Sequence, residues 1–239
     1  MPVPTLEIPP LQMDLPVVSF FGRTLGEYTS FFALDLARLH RRMVLDVAAG
    51  PSSFTAEASR RGIDAVAVDP LYDRSAPALA GQIRQDYGRV FAQIRAKPHL
   101  FHLKSFRSLA AAETDRKAAA QWFMADYEGN ARHGRYFRGA LPLLPFLDGA
   151  FDLVLCAHLL FIYAERFDYD WHLAACRELA RVSGGEARIH PVCGADGRPY
   201  HHLERLRRDL RTHGVSSEVV PVDYEFFTGS DSMLVLNRR

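Results

Sequence analysis

The stretch "VLDVAAGPSSFTAEASRRGIDAVAVDP", residues 44–70, decides the fold. It sits in a short apolar run, "RMVLDVAA" from residue 42, that reads as a strand, and Gly50 to Ser53 turn the chain. "FTAEASRRG" then reads as a helix ended by Gly62, and "DAVAVD" as a second strand closing at Asp69. Strand, turn, helix and strand in so few residues is a βαβ unit, which needs a parallel sheet.

The rest of the chain repeats the pattern. Upstream, a proline-rich arm precedes "TLGEYTSFFALDLARLH", residues 24–40, where Leu25, Tyr28, Phe32, Leu36 and Leu39 share one helical face. Downstream, "FDLVLCAH" and "EARIHPV" read as strands, and "WHLAACRELARV" and "HHLERLRRDLRTHG" as helices. "SSEVVPVDYEF" and "SMLVLNR" flank "FTGSD" as an antiparallel pair. Near-continuous apolar strands alternating with helices predict an α/β, mostly parallel sheet covered on both faces, in a single domain of 1–239. Residues 1–42 form its N-terminal arm and helix.

Composition narrows the partners. The 239 residues are 48% hydrophobic and 24% charged with a net charge of +1, which gives no global reason to expect nucleic acid or a membrane surface. Cys156, Cys176 and Cys193 have neither disulfide-framework nor zinc spacing and fit a reducing cytoplasm. The N-terminus lacks the pattern of a signal peptide, and no segment is long and apolar enough to span a bilayer.

In such sheets ligands bind beyond the carboxyl ends of the strands, at the switch point beside the first strand. Gly50 lies there and lets a ligand approach the main chain, while Ser52 and Ser53 are placed to cap the next helix. Asp69 follows Gly50 by 19 residues, where a carboxylate can accept both hydroxyl protons of a ribose. A dinucleotide loop needs G-x-G-x-x-G, and here Ala48 and Ser53 replace two of the three glycines, which argues against a nicotinamide oxidoreductase.

Asp46 followed by "VAAGPSS", then "AVAVDPLY", then "LPFLDGAFDLVLCAHLLFIY" resembles the motifs of the class I S-adenosylmethionine-dependent methyltransferases over about residues 40–195. The resemblance implies a doubly wound, Rossmann-like seven-stranded sheet with an antiparallel last strand. It implies S-adenosylmethionine as cofactor, lined by Ala48, Ala49, Gly50, Pro51, Ser52 and Ser53, with Asp46 at the amino end and Asp69 on the ribose hydroxyls. Pro70, Leu71 and Leu141 would contact the cofactor, Leu71 near the adenine; Ala157 and His158 would flank the transferred methyl. The acid that often follows the third strand and receives the adenine amino group is replaced by Ala140.

His158 is the best-placed base, on the premise of an imidazole titrating near neutrality, with Tyr163 and Glu165 weaker candidates. Tyr28, Tyr72 and Phe21 are candidates to face the sulfonium or the substrate, although helix-spaced aromatics such as Tyr28 also build cores. No metal site is expected: His201 and His202 are adjacent, and His99 and His102 have no acid or cysteine at ligand spacing.

The 66 residues between Asp69 and Tyr136 exceed what one crossover helix requires. Residues 73–135 read as a helical lid insertion, with Tyr87, Phe91 and Ile94 on one face and Trp122, Phe123 and Tyr127 on another. It holds 11 Lys and Arg against 6 Asp and Glu, suited to an anionic small molecule or an RNA backbone, unless the charges are a solvated face. The expected activity is methyl transfer to a small-molecule acceptor; an RNA methyltransferase and a non-catalytic cofactor-binding protein on the same fold are the alternatives.

Overall fold

A computed structural model of the protein describes residues 12–130 and 134–238. Residues 1–11 of the expected arm and 131–133 of the expected insertion lie outside the described residues. The chain forms α1 (Leu25–Phe31), β1 (Met43–Val47), α2 (Phe54–Arg60), β2 (Asp64–Asp69), α3 (Ala76–Ala96) and α4 (Leu109–Asn130). It continues through β3 (Tyr136–Arg138), β4 (Phe151–Ala157), α5 (Tyr169–Val182), β5 (Ser183–His190), α6 (Leu203–Thr212), β6 (Val215–Pro221) and β7 (Ser232–Arg238).

The strands make one seven-stranded sheet in the order β3-β2-β1-β4-β5-β7-β6. Strands β3, β2, β1, β4 and β5 pair in parallel, and β7 runs antiparallel to both β5 and β6. The order reverses between β1 and β4, so the carboxyl ends of those two strands open the crevice where such sheets bind ligands. Alternation along β1 sends Leu45 and Val47 into a core shared with α5 and α6, and Val44 into one shared with α1, α2 and the helices of residues 76–130.

The helix expected over residues 24–40 stops at Phe31. Thr24 and Glu27 close a reciprocal capping box at its start. Ala33 takes a φ of 49°, and the Arg188 guanidinium donates to the carbonyls of Phe32 and Ala33, which ends the helix from outside. Leu36 and Leu39 still pack on the core, as turns. The apolar spacing was real, but a tertiary contact broke the regular backbone that it implied.

Two helices fill the insertion. α4 packs beside α2 and serves as the β2-to-β3 crossover, so α3 and the connection after it are the surplus. α3 buries Leu79, Tyr87, Phe91 and Ile94; α4 buries Arg116, Phe123 and Tyr127. Trp122, expected beside Phe123, instead faces outward under the Arg60 guanidinium, 4.3 Å from its ring.

Candidate active site

The turn after β1 is folded back on β2. Ala48 and Gly50 both take positive φ, 54° and 55°. The Ala49 N–H donates to the Val68 carbonyl at 3.3 Å and the Gly50 N–H to Asp69 Oδ2 at 3.1 Å, while Tyr72 donates its hydroxyl to the Gly50 carbonyl at 2.5 Å. Asp69 Oδ1 accepts the Leu71 N–H at 2.9 Å. Burial raises the Asp69 carboxyl to about 6, and the two backbone N–H groups hold it from going higher. One carboxylate thus orders the loop and, with lone pairs to spare, faces the crevice.

That crevice is a cavity of about 290 Å³. Ala48, Gly50, Asp69, Pro70, Leu71, Leu141, Ala157 and His158 line it. Phe167 and Trp171, stacked at 3.8 Å, add a flat apolar wall beside Leu71, Ala140 and Leu141. Residues 18–21 form the roof.

The roof belongs to a strap, residues 18–23, that sequence reasoning missed. The Phe20 N–H donates to Asp86 Oδ2 at 2.8 Å and the Gly22 N–H to the Tyr87 hydroxyl at 3.2 Å, tying it to α3. On its other side the Arg23 N–H donates to Ser52 Oγ and the Leu25 N–H to Ser53 Oγ. Gly22 crosses the turn so closely that a β-carbon there would lie 2.1 Å from the Pro51 carbonyl oxygen. The only local sign of this segment is a glycine between aromatic and basic residues, "FFGR".

Several expected ligands of the crevice are spent elsewhere. Ser52 and Ser53 hold the strap, and Ser53 makes no capping bond to α2. Ala49 and Pro51 are buried within the turn and do not line the cavity. Asp46 is fully buried, accepts the Tyr28 hydroxyl on both oxygens at 3.0 Å and does not line the cavity. Burial drives its carboxyl well above the usual range. Tyr28 correspondingly stacks on Phe54 in the core, and Tyr72 packs among Phe20, Phe123, Tyr127 and Tyr136; neither lines the cavity or the chamber beside it. Glu165 is exposed and outside the crevice.

A second, smaller chamber of about 90 Å³ adjoins the first, and Ser19, Phe21 and His158 line both. Its own walls are Arg23, Arg116 and Tyr163 with an apolar majority that includes Ile94, Phe101, Ile162, Phe226 and Phe227. Tyr163 accepts the Ser19 N–H at 3.0 Å and lines this chamber. Behind it Arg116 donates to Glu27 at 2.6 Å, and Tyr224 donates to the same carboxylate at 2.8 Å.

His158 stands at the junction with a φ of 53°, its N–H donating to the His190 carbonyl at 2.6 Å. Its ring lies edge-on to Phe31 and His190, and its Nδ1 is buried with no hydrogen-bond partner. Burial, then the charge of Arg23, pushes the imidazole well below its ordinary value. The premise of titration near neutrality is therefore corrected: this histidine is neutral at physiological pH.

Only β7 is reversed in a sheet of order β3-β2-β1-β4-β5-β7-β6, and the main cavity lies over the ends of β1, β2 and β4. This is the class I methyltransferase fold. No family model matches the chain. An uncharacterized protein of Methanocaldococcus jannaschii is 26% identical over 227 residues, 95% of this chain and 99% of its own. Among solved structures, a TehB-like SAM-dependent methyltransferase from Corynebacterium glutamicum is 16% identical with a TM-score of 0.45, over 85% of this chain and 87% of its own. Magnesium protoporphyrin IX methyltransferase from Synechocystis, with SAM bound, is 16% identical with a TM-score of 0.45, over 87% and 74%. No helix among the described residues is long and apolar enough to cross a membrane.

Proposed function

We propose that this chain is an S-adenosylmethionine-dependent methyltransferase acting on a small-molecule acceptor. The observation that carries the reading is the pair of chambers meeting at His158 and Phe21, one over Gly50 and Asp69, the other smaller and lined mostly by apolar side chains. The residues present fit the cofactor: Asp69 keeps free lone pairs for two ribose hydroxyls, and the wall of Leu71, Leu141, Phe167 and Trp171 suits a purine. With Ala140 where an acid often stands, the adenine is held by packing and backbone groups.

When bound, S-adenosylmethionine supplies a methyl group already activated on sulfur; the acceptor's lone pair forms the new bond to that carbon as the C–S pair returns to sulfur. The chain's own task is alignment and exclusion of water, and orientation can supply roughly 7 to 11 kcal/mol. The Phe21 roof and the apolar second chamber keep the junction dry. His158, neutral and lining both chambers, helps to orient the attacking group rather than to hold its proton.

The remaining sequence expectations take their place in the same reading. The described part of the insertion acts as a lid, because α3 and α4 contribute Val90, Ile94 and Arg116 to the acceptor chamber. A chamber of this small volume favours a small acceptor over RNA. Three buried free thiols suit the cytoplasm. Calorimetric titration with S-adenosylmethionine, S-adenosylhomocysteine and NAD tests the proposal: micromolar binding of the first two and none of NAD is expected, and binding of NAD alone overturns it.

A further inference from the structure

The acceptor chamber carries a charge that its own walls do not neutralise. Arg23 and Arg116 both line it, and the carboxylate within reach of both is that of Glu27. Arg116 is satisfied: it donates to Glu27 at 2.6 and 3.1 Å, approaches the Tyr224 hydroxyl at 3.4 Å and lies 4.1 Å from the Phe226 ring centre. Arg23 is not. Its Nη1 donates to the carbonyls of Phe21 and Gly22, and its buried Nε makes no hydrogen bond and stands 3.8 Å from Glu27 Oε1, a long ion pair that leaves the guanidinium less fully engaged than that of Arg116. Tyr224 donates to Glu27 and holds its proton, and both His158 and His190 are neutral, so two guanidiniums face one carboxylate.

A guanidinium with an empty donor in a chamber of low dielectric is a pairing site for an anion. The surplus is one positive charge. A monoanion neutralises it, whereas a phosphate dianion would leave the chamber negative. The methionine end of the cofactor would bring an ammonium with its carboxylate, and the one carboxylate at hand, Glu27, is already engaged by Arg116, Tyr224 and the Thr24 N–H. The other walls, among them Phe101, Phe226, Phe227 and Ile162, ask for an apolar body.

Building on the methyl-transfer reading, we propose that the second chamber seats the acceptor and that the acceptor is a small apolar carboxylic acid whose carboxylate pairs with Arg23. The ligand's carboxylate pairs with the Arg23 guanidinium where it lines the chamber, while its apolar body lies against the phenylalanines. The acid would then present its nucleophile toward His158 at the junction of the two chambers.

The test uses the full chain saturated with S-adenosylhomocysteine and titrated calorimetrically with benzoate, phenylacetate, cinnamate and octanoate, each beside its neutral amide. At least one acid should bind tenfold or more tightly than its amide. In Arg23→Met that preference should vanish with S-adenosylhomocysteine affinity held within twofold. Arg23→Lys, which keeps the charge and loses the planar fork, should retain a weakened preference and guards against a misfolded first variant. Equal binding of acids and amides, or binding of none of the acids, overturns the proposal. So does a tenfold loss of S-adenosylhomocysteine affinity in Arg23→Met with 5′-methylthioadenosine binding unchanged, since the carboxylate would then be the cofactor's own. If S-adenosylhomocysteine fails to bind at all, the methyl-transfer reading falls, and the same acid–amide comparison on the unliganded chain still decides the charge claim.

Discussion

Asp69 orders the Gly50 turn and faces the main cavity with one carboxylate. Removing a charged hydrogen-bonding partner costs about 1.5 to 3 kcal/mol, so Asp69→Ala should weaken S-adenosylhomocysteine binding roughly 10- to 200-fold, read by calorimetry on a variant whose circular dichroism is unchanged. The same residue sets a pH dependence. Its carboxyl titrates at about 6 in the free protein, and the ribose hydroxyls need the ionised form as acceptor. Affinity should therefore be flat above that pH and fall about tenfold per unit below it, a slope that Asp69→Asn should abolish. Asp69 was legible because its place at the end of β2 is a local fact. Asp46 was not, because the hydroxyl that occupies it comes from Tyr28 in another element. Tyr28→Phe should cost about 1 to 3 kcal/mol in urea denaturation, leaving a buried carboxyl without its donor, while S-adenosylhomocysteine affinity changes less than twofold.

At the scale of elements, the insertion is bolted to the N-terminal strap and α1. Glu27 on α1 and Arg116 on α4 are 89 residues apart, both almost fully buried, and joined at 2.6 Å. Removing the carboxylate strands both guanidiniums, at a cost of about 3 to 5 kcal/mol for Glu27→Gln, whereas Arg116→Met leaves Arg23 beside Glu27 and should cost less, an order that the urea midpoints of the two variants would show. Nothing in "TDRKAAAQ" distinguishes Arg116 from its solvated neighbours, since a helix pattern of alanines and charges has no strong apolar face to be interrupted. The lid reading has its own measurement at this scale. Protease nicking in the connection of residues 97–108 should slow when S-adenosylhomocysteine is added, and unchanged nicking would mean that this part of the insertion does not respond to the site.

Across the whole molecule, strap, turn, insertion and sheet close around one pair of chambers, so a ligand there should stabilise the entire fold. At a hundred times its Kd, S-adenosylhomocysteine adds about 2.7 kcal/mol, a rise in Tm of roughly 5 to 11 °C for a chain of this length, whereas NAD should leave Tm unchanged in the same thermal scan. The sheet itself was readable in advance. Strand and helix spacing predicted alternation, and β2 and β7 fall on "DAVAVD" and "SMLVLNR" residue for residue. The strap at residues 18–23 was not readable, because it has no periodicity; its backbone is held by side chains from the turn, α3 and the segment after β4.

Local signals along the chain specify most of the elements, the alternation that builds a parallel sheet, and the place of Gly50 and Asp69 at the strand ends, because periodicity, turn chemistry and strand boundaries act over a few neighbouring residues. Only the tertiary structure decided which acids and aromatics face the chambers. It took Asp46, Tyr28, Tyr72, Ser52 and Ser53 into the support of the fold and brought Arg23, Arg116 and residues 18–21 to the site. The physical reason is that burial and pairing belong to partners that meet only on folding, as Glu27 meets Tyr224 across 197 residues of chain.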